Sequence, residues 1–76
     1  MNRICTLNDL KQGERGEVCD LLLRDSMRRR LQDIGLVPGT DVECLLKSPA
    51  GDPVAYLIRG AVIALRSEDS AKVLVK

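Results

Sequence analysis

Apolar and polar residues alternate with a period of two along several short stretches of the chain, a pattern typical of half-buried β-strands. In the segment DVECLLKS, for example, Val42, Cys44 and Leu46 alternate with Glu43, Leu45 and Lys47. Pattern and apolar content together predict five strands, at residues 17–23, 41–48, 54–58, 61–65 and 72–75. Residues 61–65 (AVIAL) are apolar enough to predict a buried strand. Three consecutive leucines at 21–23 interrupt the alternation and predict a β-bulge there.

One stretch follows a helical period instead. Met27, Leu31 and Ile34 are spaced i, i+4 and i+7, which places them on one face of a helix of two to three turns. Asp25 or Ser26 is expected to cap its N-terminus, because short polar side chains at that position accept hydrogen bonds from free backbone N–H groups.

Gly35 predicts how this helix ends. A glycine just after the last periodic residue suits the left-handed backbone of a Schellman motif, in which Leu36 would contact Leu31. Pro38 and Gly39 then predict a type II β-turn, followed directly by a new strand.

Short connections link the other segments. Thr6 and Asn8 can cap a single turn, residues 49–53 predict a hairpin, and residues 67–71 predict one helical turn. A tight connection is expected at 59–60.

Five short strands with one inserted short helix predict a mainly β fold, a small and partly open barrel. No repeat or linker interrupts the chain, so we expect a single domain over residues 1–76.

The composition fits a small folded domain. A chain of 76 residues buries about 60% of its surface on folding, so the core is thin and leaves no room for a deep catalytic cavity. The net charge of +1 gives no general attraction to nucleic acid or acidic lipid, and any basic surface must be local. No stretch has the character of a signal peptide or of a membrane-spanning helix, so we expect a cytoplasmic protein without membrane insertion.

Residue types needed for catalysis or tight metal binding are scarce. Histidine is absent, which removes the commonest general base and transition-metal ligand. No nucleophile elbow or phosphate-binding glycine motif is present, so we expect no enzyme and no cofactor. The cysteines, Cys5, Cys19 and Cys44, are irregularly spaced, which argues against a disulfide framework or a metal site. Tyr56 is the only aromatic residue, too few for a proline-rich-peptide groove or a base-stacking platform.

Three consecutive arginines, Arg28, Arg29 and Arg30, are the candidate partner-binding residues. At about 100° per residue they cannot all point one way, and only two neighbours can share a face. They also lie near the start of the predicted helix, where the macrodipole disfavours cations, so helix stability does not account for them. Two interpretations remain: contact with a partner, or a solvated face on which Arg29 approaches Asp33.

The segments TLNDLKQGERGEV, RRRLQDIGLVPGTDVE, GDPVAYLIRG and VIALRSEDSAKVLV together resemble the FeoA family, small cytoplasmic accessory proteins of bacterial ferrous iron transport. The resemblance covers nearly the whole chain in the right order. Its most specific part is the arginine-rich helix followed by L-x-x-x-G-L-x-P-G. The residues that carry this part are Leu31, Gly35, Leu36, Pro38 and Gly39, followed by Arg59-Gly60 and Ala64-Leu65-Arg66.

The resemblance implies an SH3-like barrel and a regulatory role beside the Fe(II) permease. The protein would dock on the cytoplasmic part of the permease, either at its GTP-hydrolysing domain or at a membrane-proximal region. Cys5, Cys19 and Cys44 match none of the family motifs carried over here, so we interpret them as structural or leave them unexplained. A rival interpretation is a metal-linked transcriptional or nucleic-acid-binding regulator, since similar domains end metal-dependent repressors. We predict no helix-turn-helix and expect the chain to begin directly with the barrel, so we expect no nucleic-acid partner. An iron carrier is a third interpretation, and short exposed strand edges make self-association conceivable.

Overall fold

The structure, a computed structural model, describes residues 4–76. Its strands, in chain order, are β1 (Cys5–Thr6), β2 (Arg15–Leu21), β3 (Asp41–Lys47), β4 (Val54–Ile58), β5 (Ala61–Leu65) and β6 (Val73–Val75). Its helices are α1 (Asp25–Asp33) and α2 (Ser67–Ser70), and a 3-10 turn spans Leu7–Asp9. The mainly β fold with one inserted short helix is confirmed. Residues 4–76 contain six strands rather than five, because the two-residue β1 was not recognisable from an alternating pattern.

All strand pairs are antiparallel, and the sheet has the order β1-β6-β2-β3-β4-β5. The last strand of the chain, β6, therefore lies between β1 and β2. At the other end of the sheet, β5 pairs only with β4 among the described strands.

One hydrophobic core lies inside the sheet, with contributions from β2 to β6, α1 and the connecting segments. Tyr56 and Leu7 are fully buried at its centre, and the Tyr56 hydroxyl donates to the Leu7 carbonyl oxygen at 3.4 Å. Ser70, also fully buried, donates to the Asn8 side-chain oxygen at 3.3 Å. These contacts fix the 3-10 turn against the C-terminal part of the domain.

The C-terminal end of α1 is the predicted Schellman motif. The Gly35 N–H donates to the Gln32 carbonyl at 3.0 Å, and the Leu36 N–H donates to the Leu31 carbonyl at 3.0 Å. Gly35 takes a φ of +110°, and Leu31 and Leu36 are both buried in the core. The turn predicted after it is also present, closed by the Thr40 N–H and the Val37 carbonyl at 3.1 Å.

The predicted cap at the other end of α1 is wrong. The N-cap residue is Arg24, and no side chain forms a capping hydrogen bond there. Asp25 instead lies inside the first turn with a φ of +57°. Only three residues separate β2 from α1. The extended backbone ends at Arg24 and the helix begins directly after it, so Asp25 and Ser26 lie inside the first turn rather than at the capping position.

Bulges change which apolar residues are buried. The register of β2 against β6 shifts between Val18 and Asp20, not at the three leucines, and the strand ends at Leu21. A second shift lies between Cys44 and Leu46 in β3. It breaks the alternation, so Leu46 is 59% exposed, contrary to the prediction that it shares the buried side with Val42 and Cys44.

The prediction that residues 61–65 form a buried strand is also wrong. Val62 is 67% exposed, and of this strand only Leu65 is buried. The reason is topological: β5 lies at the edge of the sheet, so one of its faces and one of its backbone edges meet solvent.

Candidate functional site

The arginine triplet separates into one engaged and two available side chains. The Arg28 guanidinium donates to the Leu21 carbonyl at 2.7 Å, and it lies 3.7 Å from the Asp20 carboxylate. Both of these partners belong to the end of β2. Arg28 therefore fastens the first turn of α1 to the sheet.

Arg29 and Arg30 are exposed and lie within 4.0 Å of no carboxylate in residues 4–76. The pairing of Arg29 with Asp33 that a solvated face would favour is not formed at that distance. Both arginines border a shallow depression on α1, together with Asp25, Ser26 and Asp33. Their charges are thus not neutralised by contacts within the described domain.

Arg30 also borders a second feature, a groove of about 310 Å³ between α1 and β5. Met27 and Ile34 line it from the helix, and Ile63 lines it from the strand. These three apolar side chains are half-buried and pack against the core. Arg66 stands at the end of β5 on the same groove, exposed and without an ion pair among the described residues.

Sequence reasoning missed this groove because its two walls are distant in the chain. Arg66 entered only as part of the family motif, and residues 61–65 were expected to be buried. One signal was available: Arg66 directly follows an apolar strand. This position places a charge at the border of a surface groove only if the strand lies at the edge of the sheet, and the sequence does not show that.

Among residues 4–76, no group of three His, Cys, Asp or Glu side chains is placed to hold a metal ion. Cys19 and Cys44 are free thiols, and burial raises the pKa of the Cys44 thiol. Neither helix in the described range is long and apolar enough to cross a bilayer.

Fold and site together define a small β-domain whose notable surface is an apolar groove beside a free strand edge. The chain belongs to the FeoA domain family, whose sequence profile matches residues 5–76. The resemblance noted from the sequence motifs is thereby confirmed.

Relatives with known names or structures agree with this assignment. The chain is 31% identical over 70 residues to a Fe(2+) transport protein A/Fe(2+) transporter FeoB fusion protein of Porphyromonas gingivalis. The match spans 92% of this chain but only 8% of that protein.

Solved structures of FeoA proteins share the fold, and two of them are compared with this chain. The FeoA protein of Chlorobium tepidum is 34% identical with a TM-score of 0.87, over 92% of this chain and 67% of its own. FeoA of Stenotrophomonas maltophilia, solved with zinc and described as a prokaryotic SH3 domain protein, is 28% identical with a TM-score of 0.83. That match covers 93% of this chain and 88% of the Stenotrophomonas chain. The SH3-like barrel expected from the resemblance is therefore confirmed.

Proposed function

We propose that this protein is a non-enzymatic accessory module of bacterial ferrous iron uptake. It docks on the cytoplasmic part of the Fe(II) permease, which carries the GTP-hydrolysing domain, and regulates it. The observation that carries the proposal is the Porphyromonas fusion protein, in which a domain related to this chain and the transporter FeoB form one polypeptide. Two units joined in one chain stay at high local concentration, which suits partners that act together.

The surface supports binding rather than catalysis. A groove lined by Met27, Ile34 and Ile63 offers apolar area, and Arg30 and Arg66 beside it carry charges that no described carboxylate neutralises. Interfaces commonly combine an apolar centre with arginines at its border. The Stenotrophomonas relative is itself suggested to act as a ferrous iron transport activating factor.

We assign the docking contacts to the arginine triplet, with different roles for its members. Arg29 and Arg30 are free to meet carboxylates of the transporter. Arg28 holds α1 in place through the Leu21 carbonyl, so its contribution is to position the other two. The proposed partner domain lies in the cytoplasm, so the proposal also places the action of this protein there.

A nucleic-acid-binding role is the less favoured interpretation. Asp25 and Asp33 share the depression of Arg29 and Arg30, and Asp69 borders the groove of Arg66. Phosphate backbones bind surfaces where cations dominate locally. The arginines here are interspersed with acids, an arrangement better suited to a protein surface of mixed charge.

A calorimetric titration tests the proposal. The purified protein is added to the cytoplasmic portion of the transporter, with GTP or GDP and with or without Fe(II) under anaerobic conditions. We expect binding, weakened at least about tenfold when Arg28, Arg29 and Arg30 are replaced together by alanine. Arg24→Ala is the matched control, an exposed arginine just before α1.

Absence of binding under every nucleotide and iron condition would refute the accessory function. If the triple variant binds the transporter with full affinity, the accessory function stands, but the three arginines belong to a solvated face rather than to the docking contact. Turnover of a substrate by the purified protein would contradict its non-enzymatic character.

A further inference from the structure

The outer backbone edge of β5 is available for pairing. Ile58 lies opposite Ala61 across the two-residue turn at 59–60. In such a hairpin the residues next to the turn exchange both hydrogen bonds, and every second residue along the strand repeats this. The N–H and C=O groups of Val62 and Ala64 therefore point away from β4. No backbone group of another described element bonds to them.

The groove lies along this same strand, facing α1. Its apolar side chains come from both walls, Met27 and Ile34 on the helix and Ile63 on the strand. Successive side chains of a strand point to opposite faces. A segment paired with β5 would therefore place every second side chain against these three residues.

Charge restricts the kind of segment that fits. Arg30 on α1 and Arg66 at the end of β5 flank the groove, and Asp69 is the single acid among its described lining residues. Neither arginine has a carboxylate within 4.0 Å in residues 4–76. A segment bearing carboxylates would meet two unpaired cations, whereas a basic segment would be repelled.

We propose that β5 and this groove bind an extended, acidic segment of a protein partner, which pairs with β5 as an additional strand. Its apolar side chains contact Met27, Ile34 and Ile63, and its carboxylates reach Arg30 and Arg66. The inference rests on the proposed function, since the transporter would supply the segment, and it assigns the docking surface. Main-chain hydrogen bonds provide affinity, and charge provides selectivity.

A second copy of the chain fits this edge less well. Antiparallel pairing of β5 with its own copy, centred on Ile63, would bring Arg66 of one chain beside the turn that carries Arg59 of the other. Like charges placed across neighbouring strands are destabilising.

The first test uses isotope-labelled protein and synthetic peptides of about seven residues, within the usual length of a strand. In the main peptide the side chains of one face are glutamate, valine, valine and glutamate, and serines alternate with them on the other face. In one control lysine replaces glutamate, and in a second control alternate backbone nitrogens are methylated. We expect the main peptide to slow amide exchange at Val62 and Ala64, and to bind at least about tenfold more tightly than either control. Equal binding of all three peptides, or protection of other amides only, would overturn the proposal.

Protein variants test the same contacts. Arg30→Ala combined with Arg66→Ala should weaken peptide binding about tenfold or more. Lys11→Ala combined with Arg24→Ala removes two exposed cations that do not line the groove, and it should leave peptide binding within about twofold. Ala64→Pro removes an outward N–H that β4 does not use, so the hairpin is retained while the edge is blocked. Should that variant fail to fold, the methylated peptide tests the same hydrogen bonds.

Titration of the same variants with the cytoplasmic portion of the transporter separates the two proposals. Loss of affinity in Ala64→Pro and in the Arg30/Arg66 double variant supports both. Full affinity in these variants overturns the strand pairing and leaves the accessory function. Peptide pairing at β5 without any affinity for the transporter overturns the accessory function. If the protein dimerises without peptide and Ala64→Pro abolishes the dimer, the edge of β5 binds a second copy of the chain, and the peptide proposal is overturned.

Discussion

The side chain of Arg59 lies directly over the backbone of Gly35. A β-carbon added at Gly35 would come within 2.5 Å of Arg59 Cδ and 3.1 Å of its Cγ. The end of α1 and the turn between β4 and β5 are therefore packed against each other where only a glycine leaves room. This contact helps to set the distance between helix and edge strand, and so the width of the groove.

Gly35→Ala should lower the free energy of unfolding by about 1–3 kcal/mol, because an L-residue is strained at a φ of +110°. Thermal and urea unfolding would measure the loss. The matched control is Gly39→Ala, where φ is +95° but no atom lies within 4 Å of the added carbon. The control should lose less, and adding Arg59→Ala should remove the difference. Equal losses in both glycine variants would show that the Arg59 contact carries no cost.

Arg28→Ala should destabilise the domain by about 0.5–1.5 kcal/mol, because it removes the hydrogen bond to the Leu21 carbonyl and the ion pair with Asp20. The half exposure of this pair keeps the loss modest. Arg29→Ala, one residue further on, should change stability by less than about 0.5 kcal/mol, since it has no partner in the described domain. Chemical unfolding of the two variants distinguishes them, and equal stabilities would contradict the positioning role of Arg28.

Asp9 should make the free energy of unfolding depend on pH in the acidic range. Its carboxylate accepts from the Thr6 N–H at 2.9 Å and from the Thr6 hydroxyl at 3.0 Å. The backbone bond is the main cause that holds the pKa of Asp9 below its ordinary 3.8. The stabilisation is therefore present above pH 3.8 and is lost as pH falls through the lower, folded-state pKa.

Thermal melts of Asp9→Ala should accordingly show a small loss at neutral pH that shrinks in acid. Asp41→Ala serves as the control, because this exposed carboxylate has no hydrogen bond or ion pair among the described residues. A pH-independent difference between wild type and Asp9→Ala would contradict the prediction.

Tyr56 should limit stability in alkali. Burial raises the pKa of its hydroxyl above the ordinary 10.0, so ionisation occurs more readily in the unfolded chain. Stability is then fully present below pH 10.0 and is lost as pH rises towards the folded-state pKa.

Tyr56→Phe should cost about 0.5–1.5 kcal/mol at neutral pH, through the lost bond to the Leu7 carbonyl. Above pH 10.0 the variant should lose stability less steeply than the wild type. Urea unfolding across this range provides the measurement, with parallel pH profiles as the contradicting result.

Features determined by neighbours in sequence were predictable. The Schellman end of α1 depends on Leu31, Gly35 and Leu36, which lie within six positions of one another, and it forms as expected. The turn at 37–40 and the family motif are equally local. The apolar period of Met27, Leu31 and Ile34 likewise identified the buried side of the helix, because a helix repeats every 3.6 residues wherever it packs.

Features determined by distant pairing were not predictable. Leu46 is exposed because a bulge against β4 breaks the alternation, and no local residue marks that shift. Val62 is exposed because β5 became an edge, which depends on the order of all six strands. The groove has the same origin, since Arg30 and Arg66 meet across it only after α1 and β5 have docked.

The position of β6 between β1 and β2 has a consequence for biosynthesis. The ribosome synthesises β6 after all the other described strands. The strand β1 therefore cannot pair with β6 until residues 73–75 have emerged. During translation, the backbone hydrogen-bonding groups of β1, and those of β2 that face β6 in the folded domain, have no strand partner. The sheet becomes continuous only when β6 pairs with both strands.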